Sequence, residues 1–156
     1  MPKVVIPDTS SLILFDKIKE LDLLRKIYTD ITTTKEVTEE FSLDLPGWIK
    51  VVKVKDKKYQ EALETQIDKG EASVITLAME CENPLLILDD RKARKVAEKL
   101  SLNITGSLGI IYKAKQMGAI KQVKPLIDNL LTTDFRISEQ LVREFLILND
   151  EQSEDY

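Results

Sequence analysis

The sequence predicts an α/β fold: a mainly parallel central sheet of about five strands, flanked by helices. Two nearly continuous apolar runs, KVVIP at residues 3–7 and PLLIL at 84–88, lack the polar alternation of a sheet with one wet face and are read as buried strands. Each ends on acid, Asp8 in the first case and Asp89 with Asp90 in the second, and each leads into helical periodicity. Strand-like and helix-like segments then alternate along the chain, the order that builds a parallel sheet.

Taken in order, a helix starts near Thr9 and ELDLLRKIY carries another. DITTT supplies a short second strand. Thr33 and Glu36 have the T-x-x-E spacing of a capping box, expected to open a helix through Phe41. LPGW turns the chain into IKVVKVK, where Lys53 and Lys55 alternate with Val52 and Val54; lysines there suit a sheet edge. A helix is expected from Lys57 to Ile67, where DKG breaks it and starts another through Cys81. Beyond PLLIL, RKARKVAEKL reads as helix, LNIT as a weak strand, and Gly106 starts the next helix. Two helices, near 121–132 and 138–148, close the pattern, the second with Ser138 as N-cap and Ile137 with Val142 as a hydrophobic staple. Its stripe of Ile137, Leu141, Val142, Phe145 and Leu146 is read first as core, and second as a homodimer seam or a groove for a partner. Residues 1–149 are expected to form one domain and residues 150–156 an acidic, loose tail.

Composition removes whole classes of chemistry. The chain has 156 residues, 43% of them hydrophobic and 32% charged, and no apolar run of the roughly 20 residues needed to span a membrane. No signal-peptide order marks its start, so the expected location is the cytoplasm. One cysteine, Cys81, rules out an intrachain disulfide framework. With no histidine, triads with an imidazole base and imidazole metal sites are excluded. Any metal must be held by oxygen, which favours Mg²⁺ or Mn²⁺. The net charge of −4 gives no global basic field, so nucleic acid would have to be met by a local basic rim.

The placement of the acids is the informative pattern. Ligands of an open parallel sheet bind beyond the carboxyl ends of its strands, where Asp8, Asp89 and Asp90 fall. Each taken alone is also an ordinary N-cap. At 100° per residue, Glu40 borders the buried face that Val37 and Phe41 define, lying about 60° from Val37, while Glu39 points away. Glu71 lies about 60° from Val74, inside the apolar stripe of its helix, although Asp68-x-x-Glu71 is also a capping-box pattern. Angle does not choose between Asp89 and Asp90. Four acids from four segments, with no cation evidently assigned to them, form a cluster that calls for one.

These residues resemble a PIN domain, the ribonuclease fold found in the toxins of prokaryotic toxin–antitoxin pairs. VVIPDTSSLI is similar to the first motif, with Asp8 and a hydroxyl at Ser10; TTTKEVTEEF is similar to the V-x-x-E segment and carries that role to Glu40. The stretch from DKGEASVITLA to LDDRKAR is similar to a subfamily in which G-E-A and D-D-x-x-x-R supply the third and fourth acids, here Glu71 and Asp90. The third acid is Glu where Asp is usual in the toxins, and Asp89 replaces a usual Thr or Ser. The resemblance implies a three-layer PIN-like fold and a metal-dependent ribonuclease. Asp8, Glu40, Glu71 and Asp90, with Asp89 beside them, would hold one or two Mg²⁺ or Mn²⁺ ions, and Ser10 would orient water or a carboxylate. Arg91 and Arg94 would clamp phosphate. The implied partners are RNA and, for a toxin, a protein antitoxin. Against a haloacid-dehalogenase-type phosphatase stands Ser10, where that chemistry needs a second acid; a receiver domain needs its acceptor after a middle strand. The alternative reading is a PIN-like module with weak or no activity that binds protein or RNA.

Overall fold

In the computed structural model, which describes residues 1–151, five parallel strands form one sheet in the order β3-β2-β1-β4-β5. The strands are β1 (Val4–Pro7), β2 (Ile31–Thr34), β3 (Ile49–Val52), β4 (Pro84–Ile87) and β5 (Asn103–Thr105). The helices are α1 (Thr9–Lys17), α2 (Leu23–Ile27), α3 (Lys35–Phe41), α4 (Lys57–Leu63), α5 (Lys69–Glu80), α6 (Arg91–Lys99), α7 (Ser107–Gln116), α8 (Lys124–Leu130) and α9 (Glu139–Leu148). This is a three-layer α/β arrangement with an all-parallel central sheet, as the resemblance implies.

The two apolar runs are central because both their faces are covered. All four residues of β1 are buried, and Leu86 and Ile87 of β4 are fully so. Helix α5 packs against β1, β2 and β4, and Gly70 through Ala78 are all buried, so this helix is covered almost all round although it carries Glu71, Ser73 and Thr76. Strand β3 lies at one edge, but it ends at Val52, so Lys53 and Lys55, whose alternation suggested that edge, fall beyond it and only Lys50 lies within it. Of the last helix's stripe, Val142, Phe145 and Leu146 enter the core, whereas Leu141 stays exposed. Among the described residues, no helix is long and apolar enough to cross a membrane.

Two local expectations are corrected. The cap of α3 is Thr34 rather than Thr33: its hydroxyl accepts from Val37 N–H at 3.1 Å. Thr33 is drawn into β2, where its hydroxyl donates to the Pro7 carbonyl at 2.9 Å, and Glu36 pairs instead with Lys57 at 3.3 Å. The chain is also held beyond residue 149. Glu151 accepts the N–H groups of Val123 and Lys124 at 2.7 and 3.1 Å, capping α8 from a distance, and pairs with Lys115 at 2.8 Å. Of the expected loose tail, residues 152–156 lie outside the described residues.

Candidate active site

The chain leaves β1 for β2 and β3 on one side, then returns to β4 on the other, so a topological switch point lies between β1 and β4. A crevice opens there beyond the carboxyl ends of the strands. Their register, Pro7 beside Ile87, brings Asp8 level with the residues that lead to Asp89 and Asp90.

Asp8 is 1% exposed and caps α1. Its Oδ1 accepts both the N–H and the hydroxyl of Ser11, at 2.9 and 2.6 Å. Its Oδ2 is buried and has no partner. A carboxylate oxygen in that state is costly, since nothing replaces the water it lost. Burial pushes the Asp8 pKa up from 3.8 to about 6 against the opposing hydrogen bonds from Ser11, and the charges of Asp89 and Asp68 push the same way.

Glu71 stands in the first turn of α5, 8% exposed. The capping box and the buried carboxylate, posed above as alternatives, coexist: Glu71 N–H donates to Asp68 Oδ1 at 3.1 Å while Glu71 Oε1 accepts from Asp68 N–H at 3.4 Å. Burial raises its pKa from 4.5 to about 8, and the charges of Asp68, Asp90 and Asp8 add to the effect. Asp68 is thus a fifth acid of the site. Its cap role concealed it in the sequence; the signal was its place one turn ahead of a buried acid.

Glu40 is exposed, but Thr9 at the start of α1 donates its hydroxyl to Glu40 Oε1 at 2.5 Å. The carboxylate passes directly over Gly70. A Cβ at that position would collide with Glu40 Oε1 and lie 3.0 Å from the Thr9 hydroxyl. Glycine is needed before Glu71 because three elements, α1, α3 and α5, meet there.

Asp8, Thr9, Ser10, Glu40, Asp68 and Glu71 line one cavity of about 160 Å³. Asp90 is set apart as the cap of α6, its Oδ2 accepting Ala93 N–H at 2.9 Å, yet its charge reaches Glu71. Asp89 is committed elsewhere: its two oxygens accept the N–H and hydroxyl of Ser107 at 2.8 and 2.5 Å, which ties β4 to α7. The amide of Ser107 is therefore spent on Asp89. Ser10 lines the cavity, but the hydroxyl that orients Asp8 belongs to Ser11. Arg94 turns inward and donates to the Leu88 carbonyl at 2.7 Å, bracing the same junction; Arg91 is exposed.

Among the described residues, no three acids are gathered closely enough to make a ready-formed ion site. Like charges at short range repel, and none of Asp8, Glu40, Glu71 and Asp90 has a lysine or arginine partner among the described ion pairs. The donor set is all oxygen, and Asp8 Oδ2 is buried without a hydrogen-bond partner. That combination fits a hard divalent cation.

A parallel sheet whose switch point collects carboxylates without basic partners among the described ion pairs fits a nuclease-type fold. The chain belongs to the PIN-domain family: a family model described as a PIN domain matches residues 4–151. Comparison with curated proteins gave no match.

Proposed function

We propose that the protein is a divalent-metal-dependent endoribonuclease, with Asp8, Glu40, Glu71 and Asp90 holding Mg²⁺ or Mn²⁺. The observation that carries this reading is Asp8: a buried carboxylate with one unpartnered oxygen, beside like-charged neighbours, at the switch point of the sheet. When bound, the ion supplies activation of water and neutralisation of the scissile phosphate's charge. Ser11 fixes the Asp8 carboxylate through two hydrogen bonds, so Oδ2 is presented rather than free to rotate. Thr9 does the same for Glu40. Glu71, held near neutrality by burial and by Asp68, is positioned to retain a proton until a cation displaces it. Arg91 supplies the exposed cation nearest in sequence to Asp90 for phosphate, while Arg94 holds the loop behind it. The same reading accommodates the toxin of a toxin–antitoxin pair, with a protein antitoxin as partner.

A second reading, a PIN module that binds partners without hydrolysis, draws on Asp89 and Asp90, both occupied by helix capping. One experiment separates the two: incubating a mixed RNA pool with and without Mn²⁺, comparing wild type with Asp8→Asn. Cleavage that requires both Mn²⁺ and Asp8 supports the nuclease. An uncut pool, or cutting that survives Asp8→Asn, leaves the binding module.

A further inference from the structure

Strand β2 ends on two threonines, Thr33 and Thr34, and both are fully buried. Burying a hydroxyl costs free energy unless it is hydrogen-bonded. Both hydroxyls are bonded, and each ties β2 to a segment that carries an acid. Thr33 donates to the Pro7 carbonyl at 2.9 Å, directly ahead of Asp8. Thr34 meets Ser73 of α5 at 2.7 Å, hydroxyl to hydroxyl. Proton counting gives this second bond a direction. Ser73 is also fully buried, and its single hydroxyl proton goes to the Gly70 carbonyl at 2.7 Å. Thr34 is therefore the donor to Ser73, while its own oxygen accepts from Val37 N–H at 3.1 Å. A one-way chain results: Val37 amide, Thr34 hydroxyl, Ser73 hydroxyl, Gly70 carbonyl. Its first link opens α3, the helix of Glu40. Its last link is the residue before Glu71, the same glycine over which the Glu40 carboxylate passes.

We propose that Thr34 and Ser73 are positioning residues for the acidic site: their hydroxyl chain fixes the start of α3 against the first turn of α5, and so sets Glu40 relative to Glu71 around one cation. The inference rests on the cation site of the nuclease reading and adds two residues that do not line the acidic cavity. Glu40 and Glu71 stand on different helices, and Glu40 is exposed, so its place depends on how the short helix beneath it is held. Apolar contact is non-directional and lets packed helices adjust. A buried chain in which every donor and acceptor is satisfied has one register, which makes it the more exact tie. Helix α5 also supplies its own control. Thr76 is equally buried, but its hydroxyl donates to the Ala72 carbonyl of the same helix at 2.8 Å and ties α5 to nothing else.

The test is the Mn²⁺ dissociation constant, read by calorimetric titration of folded protein well below its melting temperature, beside cleavage of a mixed RNA pool. Ser73→Ala and Thr34→Val each weaken Mn²⁺ binding by about tenfold, the effect of losing support behind a ligand. Their cleavage falls at low Mn²⁺ and recovers in part at saturating Mn²⁺. Thr34→Ser keeps the hydroxyl and restores the affinity. Thr76→Val loses a buried hydroxyl from the same helix yet binds Mn²⁺ like the wild type. Wild-type affinity in Ser73→Ala and Thr34→Val, equal weakening in Thr76→Val, or a Thr34→Ser as weak as Thr34→Val overturns the proposal, and so does a wild type that binds no Mn²⁺. Should Thr34→Val not fold, Ser73→Ala against Thr76→Val decides. The expected order of affinities in a protein that cuts no RNA removes the nuclease reading and keeps the hydroxyl chain. Cleavage that needs Asp8 and Mn²⁺, with unchanged Mn²⁺ affinity in Ser73→Ala, does the reverse.

Discussion

Regions of this fold that bury carboxylates treat them in two opposite ways. Near the last helix, burial by itself would raise the pKa of Glu151, but hydrogen bonds from Lys115 and from the amides of Val123 and Lys124 outweigh it and hold the carboxyl below its ordinary value. Glu36 behaves alike: its burial is outweighed by Gln60 and Lys57. At the switch point, Asp8 and Glu71 are buried among other acids, and their pKa values rise to about 6 and about 8. The first kind of acid is a fastener. The second is a carboxyl whose ionisation is suppressed because the chain supplies no basic partner among the described ion pairs, which is why it marks the site.

The largest effect expected from this contrast is on catalysis. Asp8→Asn keeps an acceptor for Ser11 but removes the negative oxygen, and RNA cleavage should fall by more than about a hundredfold, beyond the 10–100-fold typical of outer-sphere changes. Cleavage assays on wild type and variant at matched Mn²⁺ check it. The latch should respond in stability instead. Glu151→Ala strips two α8 amides and Lys115 of their partner, at a cost of about 2–3 kcal/mol seen as a lower denaturation midpoint, with RNA cleavage per folded molecule intact. Gly70→Ala falls between: the methyl group displaces the Glu40 carboxylate, and activity should drop about tenfold with little change in fold stability.

A smaller effect separates the two regions by pH. The folded pKa values of Asp8 and Glu71 lie above their ordinary 3.8 and 4.5, so the folded state binds more protons than the unfolded one between those values. Their contribution to stability is therefore lost as pH rises from about 4 to about 8. Glu151 and Glu36 have lowered values, so their contribution is present at neutral pH and is lost as pH falls below about 4.5. Without divalent ions, stability should peak near pH 4–5 and decline toward 8. Asp8→Asn should flatten the decline and stabilise the protein by about 1–2 kcal/mol at pH 7, less than the full shift because its new amide needs an acceptor of its own. Urea titrations across the pH range in chelator measure both.

The same contrast explains how much was legible in advance. The sheet was, since VVIP and PLLIL need cover on both faces; the lysines that suggested an edge, Lys53 and Lys55, lie past the end of β3. Asp8 and Glu71 were, since an acid at a strand end or inside an apolar stripe violates its surroundings. What escaped depended on contacts between distant segments. Thr33 is pulled into the sheet by Pro7 and yields the cap to Thr34. Ser11, not Ser10, grips Asp8 because the first turn of α1 points it back. Arg94 finds a carbonyl across the β4–α6 turn, and Glu151 finds helix α8 after the last helix has ended. None of these partners lies within the reach of a local pattern.

The central claim, that the switch-point acids form a cation site while the latch does not, is met most directly by thermal unfolding at pH 7.5 with and without Mn²⁺. A cation that binds only the folded state stabilises it by about 2.7 kcal/mol at a hundred times its dissociation constant. The account predicts a clear rise in the melting temperature of wild type and Glu151→Ala, and a much smaller one in Asp8→Asn. An equal rise in all three, or none in the wild type, would contradict it.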